Sequence, residues 1–334
     1  MAIKKIALEN FTVFKNTELS FCSGVNVLIG ENGTGKTHLL KLLYATHLTH
    51  SDSKYSISNV FGEDFNLPIL LSNIVIDESG KISEKWRTAN VHLNTFDSVA
   101  AQGQISDCIK SFNINVKITS SRPETPIFIP AKDMLTHSRL EKDYAERNLP
   151  FDRTLIDILN KAGVSTVKNL DSNMMSIADD IAKVIGGKIV YRNDRYYVKK
   201  VDDSLIGFDM EAEGFKKLGL LYRLIETGYF KEGSILLWDE PEANLNPKLI
   251  PVVVDILLRL SKSGIQIFLA THEYNLMKYF SVKKSADDQV AFVSLHKTEN
   301  GVISETEDDY NLLEHNSIVE ANIKLLEVDI EGVL

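Results

Sequence analysis

The sequence predicts an α/β protein with a mixed-sheet core, an antiparallel β subdomain and an inserted helical subdomain. Three observations carry that reading. Residues 25–29 (VNVLI) are an apolar run long enough for a buried strand and too short for a helix. A glycine-rich break at 30–35 follows it, then Leu39, Leu40, Leu42 and Leu43 at helical spacing. The last third alternates strand and helix (235–238, 247–261, 265–270, 275–280, 290–295), the order that builds a parallel sheet with crossover helices. Residues 50–125 hold short β-like runs between polar turns and read as an irregular, mostly antiparallel sheet.

The remaining elements follow in order. Residues 3–21 alternate as strands, with Ile3, Ile6, Leu8, Phe11, Phe14, Leu19 and Phe21 as the apolar set. Residues 126–130 (PIFIP) form another short buried strand. Helices are expected through 131–185, with Leu155, Ile156, Ile158 and Leu159 on one face and Ile177, Ile181 and Ile185 on another, ending at Gly186-Gly187. Residues 188–201 read as a hairpin turning at Asn193-Asp194, and a helix is expected from about 213 to 227.

Composition narrows the function classes. The 334 residues are 44% hydrophobic and 25% charged, an ordinary globular balance. No apolar run approaches the ~20 residues of a membrane helix. The start lacks the apolar run of a signal peptide, and the two cysteines, Cys22 and Cys108, have no CxxC spacing. A cytoplasmic protein without membrane contact is expected. The formal charge of −9 is concentrated: residues 304–334 carry one basic residue, Lys324, against nine acidic ones. Residues 117–200 are mildly basic; Arg139, Lys142, Arg147 and Arg153 there are read either as a DNA or RNA contact or as a solvated helical face.

The chemistry sits in three places. Gly30-Glu31-Asn32-Gly33-Thr34-Gly35-Lys36-Thr37 fits GxxxxGK(S/T), the Walker A phosphate loop. Glycines let backbone N–H groups converge on phosphate, Lys36 reaches the β- and γ-phosphates, and Thr37 offers its hydroxyl to Mg²⁺. Residues 234–240 form an apolar strand ending in Asp239, a candidate Mg²⁺ ligand with Thr37, and Glu240, a candidate general base for the attacking water. His272 follows the next strand, on the ligand side of an open α/β sheet, where it can sense the γ-phosphate. ATP and Mg²⁺ are the implied ligands.

These motifs, together with Leu8-Glu9-Asn10-Phe11, residues 238–247 (WDEPEANLNP) and Ala270-Thr271-His272-Glu273, resemble those of ABC-superfamily ATPases. The resemblance is to their soluble SMC/RecF/OLD-like branch, often called AAA ATPases. DEPEANLNP is closer to that branch's DEPEAHLHP than to the DEPTSALD of transporters. The resemblance implies a P-loop NTPase of ABC type, with the N-terminal part of the core and the antiparallel subdomain in 1–130, an inserted helical subdomain and hairpin in 131–210, the C-terminal part of the core in 211–303, and an acidic helical appendage in 304–334. It also implies an ATP-sandwich homodimer or higher oligomer, each nucleotide lying between one chain's Walker motifs and a signature helix of the other.

The signature falls on residues 211–217, where Gly214 would approach the partner's phosphate; it departs from LSGGQ in lacking a Ser, and Lys216 or Lys217 is expected to compensate. An ordinary helix start is the alternative. Asn246 stands at the D-loop position of the transporter Asp. Gln102 and Gln104 are the candidates for the Q-loop. Phe11 or Phe14 lies either near adenine or in the core, and Lys132 either near the γ-phosphate or in a plain loop. Similar chains serve DNA repair and antiphage defence, including the ATPase subunits of Septu-like and PARIS-like systems, where the ATPase is a sensor or scaffold beside a separately encoded nuclease. The alternative reading is a slowly hydrolysing nucleotide-binding interaction module. A transporter ATPase is less favoured, because its LSGGQ, Q-loop and DEPTSALD are all missing. The −8 appendage is expected to pack through Leu312, Leu313, Ile318, Ile323 and Leu326, and either to face a basic partner or to repel nucleic acid from one surface while residues 117–200 admit it from another.

Overall fold

A computed structural model describes residues 2–51, 125–137 and 153–333, and the backbone of five strands between 72 and 116. In order, the elements are β1 (Ile3–Phe11), β2 (Phe14–Ser20), β3 (Val25–Gly30), α1 (Lys36–Ser51), β4 (Ser72–Ile76), β5 (Ile82–Trp86), β6 (Ala89–Thr95), β7 (Ala100–Ile105), β8 (Asn113–Val116) and β9 (Ile127–Ile129). Then come α2 (Arg153–Gly163), α3 (Ser172–Ile185), β10 (Lys188–Arg192), β11 (Arg195–Lys199), β12 (Leu205–Gly207) and α4 (Glu213–Glu226). The last are β13 (Ile235–Asp239), α5 (Ile250–Lys262), β14 (Gln266–Ala270), α6 (Tyr274–Lys283), β15 (Val290–Thr298), β16 (Gly301–Glu307) and α7 (Ser317–Val333).

A six-stranded sheet in the order β16-β15-β3-β14-β13-β9 forms the centre. Its strands from β15 to β9 pair in parallel, and β16 joins antiparallel. Every residue of β3, β13 and β14 is buried, as expected of strands covered on both faces. Because neighbouring side chains along a strand point to opposite faces, the sheet splits its apolar residues between two cores. Leu28, Phe128, Leu237 and Phe268 join α1 and the β1–β2 residues in one core. Val27, Ile29, Ile127, Ile129, Leu236, Trp238 and Leu269 join α2 to α6 in the other. The layers are therefore an antiparallel sheet with α1, the mixed sheet, and a helical layer.

The antiparallel layer runs β2-β1-β6-β7-β8, with β4-β5 a separate pair. The mostly antiparallel character expected of 50–125 is thus present, and it is β1 and β2 that those strands extend. The Q-loop candidates fall in that sheet. Gln102 and Gln104 lie on β7, in the antiparallel sheet, whereas the strand beside β13 in the central sheet is β9.

Local signals act where the sequence places them. Asp171 caps α3 by accepting from the Asn173 and Met174 amides, and Gly186 closes it at φ 74°. The β10–β11 hairpin turns at Asn193 and Asp194, at φ 51° and 60°, the pair of left-handed residues that a two-residue turn needs. The C-terminal appendage behaves differently from expectation. Leu313 and Ile318 are buried, but Leu312, Ile323 and Leu326 are exposed, so only the start of α7 packs. Among the described residues no helix is long and apolar enough to cross a membrane. Arg139, Lys142 and Arg147 lie outside the described residues.

Candidate nucleotide site

The C-terminal ends of β3, β14, β13 and β9 open on one edge of the sheet, and the chemistry-bearing residues collect there. The loop after β3 is shaped by its glycines. Gly30 stands at φ 147°, where a Cβ would come within 2.3 Å of the Leu295 carbonyl oxygen; Gly35 stands at φ 89°, where a Cβ would lie 2.8 Å from Val13 and Phe14. Thr34 is buried and donates from Oγ1 to the Glu31 carbonyl at 2.9 Å, holding the turn. The helix α1 begins at Lys36 with no acidic residue in its first turn, so its positive end is left open toward the loop.

Lys36 Nζ donates to the carbonyls of Gly30 at 2.8 Å and Glu31 at 2.9 Å. Burial pulls its pKa down to about 8, against the opposing attraction of Asp239, Glu240 and Glu242. Thr37 Oγ1 lies 2.9 Å from Asp239 Oδ2, donating to it. Burial raises the Asp239 pKa, and the Thr37 hydrogen bond lowers it in part. Two hard oxygen ligands thus face each other at the mouth of the loop, which is the donor chemistry Mg²⁺ takes.

Glu240 adopts φ 47°, uncommon for a residue with a side chain. Two contacts hold it there: its N–H donates to the Ala270 carbonyl at 2.9 Å, and its own carbonyl accepts from Lys217 Nζ at 2.6 Å. The cleft that results, about 290 Å³, is bounded by Asn32, Gly33, Gly35, Lys36 and Thr37 on one side and by Asp239, Glu240 and His272 on the other. Burial and the nearby Lys36 charge lower the His272 pKa, keeping the imidazole neutral. Walker A, Asp239, Glu240 and His272, separated by more than two hundred residues, are therefore brought to one cleft.

Several expected placements change. Lys217 does not face outward toward a partner's phosphate: it is buried and turned onto the Glu240 carbonyl. Lys216 is also buried, paired with Glu213 at 2.6 Å. Gly214 is packed against its own D-loop, where a Cβ would meet Leu245 at 2.9 Å and the Asn244 carbonyl at 3.1 Å. Asn246 caps the turn at Pro247–Leu249 by accepting from the Lys248 amide at 3.0 Å. Phe11 and Phe14 belong to the core. Lys132 is exposed, and it is the neighbouring Asp133 whose charge acts on Lys217.

Four residues of the site carry no motif signal or were read otherwise. His38 lines the cleft. Lys297, at the end of β15, donates to the Asn32 carbonyl at 2.7 Å, a contact across 265 positions that no local pattern announces. Lys217, expected to compensate for the missing signature Ser, instead holds the Glu240 carbonyl. Glu242 accepts from Thr271 Oγ1 at 2.7 Å and from the His272 amide at 3.2 Å, tying the Walker B loop to the His272 loop; the fourth acid-like position of DEPE was its signal.

A family model described as "AAA domain, putative AbiEii toxin, Type IV TA system" matches residues 120–278, and one described as "AAA domain" matches 5–125. The DNA replication and repair protein RecF of Oenococcus oeni is 23% identical over 231 residues, 69% of this chain and 57% of the relative. RecF of Streptococcus gordonii is 24% identical over 213 residues, 60% of this chain and 56% of the relative. A solved SMC head bound to the C-winged helix domain of ScpA covers 93% of this chain and 99% of that one, at 14% identity and a TM-score of 0.59. The chain's motifs and fold match those of ABC-type P-loop ATPases of the SMC/RecF head branch. The head fold extends to an SMC head with an extended coiled coil, bound to the C-terminal domain of ScpA from Pyrococcus furiosus, with 98% of each chain covered and a TM-score of 0.55. The chain spans a little over half the length of the two RecF proteins described. In this SMC/RecF-like head, as in its relatives, the mixed sheet and the small antiparallel sheet form one α/β fold.

Proposed function

We propose that the chain binds ATP with Mg²⁺ and hydrolyses it as a nucleotide-switched dimer, serving as the sensor or scaffold subunit of a bacterial antiphage defence or DNA-repair system that controls a separate effector nuclease. The observation that carries the nucleotide chemistry is the Thr37–Asp239 pair at 2.9 Å with Glu240 next to it at the mouth of the phosphate loop. Thr37 and Asp239 would hold Mg²⁺, which supplies charge neutralisation to the phosphates. The loop amides and Lys36 bind and orient the phosphate chain. Glu240 takes the proton from the attacking water, held in place by the two backbone contacts that fix its φ. His272, neutral, hydrogen-bonds at the γ-phosphate and reports its loss to the loop that Glu242 grips. The effector and the defence or repair setting rest on the AbiEii wording of the family model and on the RecF relatives.

Glu240→Gln is the test. It should leave ATP affinity near wild type, cut turnover about 10²-fold or more, and accumulate an ATP-dependent dimer in light scattering. A second reading, a slowly hydrolysing nucleotide-binding module, is favoured by one observation: the signature region offers Glu213, paired with Lys216, where a Ser would meet phosphate. Equal turnover in wild type and Glu240→Gln would select it.

A further inference from the structure

The start of α7 is anchored and its remainder is not. Asn316 is buried and caps the helix, accepting from the Val319 amide at 3.2 Å, while Ile318 sits in the core and Val319 packs against it. Beyond that turn the apolar residues face solvent: Ile323, Leu325, Leu326, Val328 and Ile330 are 51%, 66%, 60%, 59% and 63% exposed. Leu325 and Val328 lie to the side; the other three continue a pattern from Val319. Val319, Ile323, Leu326 and Ile330 recur at spacings of four, three and four, which places them in one stripe along the helix, the seam of a two-stranded coiled coil. The stripe starts in the chain's own core and runs out of it.

Charge selects the occupant. On the heptad set by that stripe, the positions flanking the seam are Glu320 and Glu327 on one side and Asn322 and Asp329 on the other. A second copy of α7 would set carboxylates along a shared seam, where like charges at flanking positions oppose pairing. A helix with lysine or arginine at those positions meets opposite charge instead.

We propose that α7 is one half of a heterotypic coiled coil, and that its other half is a helix of a partner protein with an apolar seam flanked by basic residues. This rests on the reading that the chain acts through a separately encoded protein, and it assigns that protein's docking helix to a surface outside the nucleotide cleft.

The probe is a synthetic helical peptide with leucine at the seam positions and lysine at the flanking ones, titrated against the full chain by fluorescence anisotropy. Its control carries glutamate at the flanking positions. The lysine peptide should bind, and binding should weaken at least about tenfold in the double variant Ile323→Ser/Leu326→Ser and for the glutamate control. Both substituted residues are exposed, so the variant should keep the wild-type melting temperature and ATP turnover. Equal binding of the two peptides, or binding of neither, overturns the proposal. So does wild-type self-association in sedimentation velocity that the double variant abolishes, since a second copy would then be the occupant. Glu240→Gln should bind the lysine peptide as wild type does; a failed nucleotide switch therefore leaves the docking result readable by itself.

Discussion

At the residue scale, the site depends on side chains that never reach the nucleotide. Lys217 is one, because its ammonium holds the strained Glu240 backbone from behind. Glu242 is another. Its Oε1 satisfies both the Thr271 hydroxyl and the His272 amide, while Oε2 is buried without a hydrogen-bond partner. Burial raises its pKa, against the Thr271 and His272 hydrogen bonds and the Lys217 charge. Removing the carboxyl leaves the Thr271 hydroxyl and His272 amide without their acceptor, at a cost of about 1–3 kcal/mol. Glu242→Ala should therefore unfold at lower urea and lose turnover through a misplaced His272. Unchanged turnover in Glu242→Ala would show that the two loops position themselves without it. The DEPE motif made this residue visible, but only the folded proximity of the two loops assigns it a partner.

At the element scale, what was legible had a local cause. The buried runs β3, β9, β13 and β14 announce themselves by apolar length, the β10–β11 turn by Asn193-Asp194, and the end of α3 by Gly186. What was not legible depends on which elements meet. The seven residues from Glu211 to Lys217 read as a signature, with an ordinary helix start as the alternative; packing turns two of their lysines inward. The periodicity of α7 was visible, but whether that face is covered is decided by where the core ends.

The join between α7 and the sheet has its own sensitivity. His296, on β15, lies 4.1 Å ring to ring from His315, just before α7, and both His296 ring nitrogens are buried without partners. Burial, then the His315 charge, lowers the His296 pKa below 6.5, against the attraction of Glu305 and Glu320. The unfolded chain therefore takes up this proton at higher pH than the folded one. Its contribution to stability is full above 6.5 and is lost as pH falls through the folded value. The melting temperature of wild type should drop more steeply than that of His296→Leu between pH 7.5 and 5.5; parallel profiles would remove His296 as the cause.

At the scale of the whole molecule, the central sheet must hold two cores and an antiparallel layer in register, and one buried side chain spans the join. Gln266, at the start of β14, accepts from the Ile3 amide at 2.7 Å and donates from Nε2 to the Ile3 and Cys22 carbonyls, each at 2.7 Å. It thus ties the first residue of β1 and the turn after β2 to the middle of the central sheet, across 263 positions. An isolated polar residue heading an apolar strand gives no hint of this, because its partners are backbone groups of a distant segment. Gln266→Leu keeps the volume but takes the Gln266 partner from the Ile3 amide and carbonyl, each worth about 1 kcal/mol or more, while the Cys22 carbonyl keeps Asn26 Nδ2 at 3.0 Å. The expected loss is about 2–4 kcal/mol by urea denaturation. The nucleotide cleft is at the opposite, C-terminal end of β14, so ATP affinity measured under folding conditions should hold. A variant with wild-type stability would mean that water or a rearranged β1 replaces these bonds.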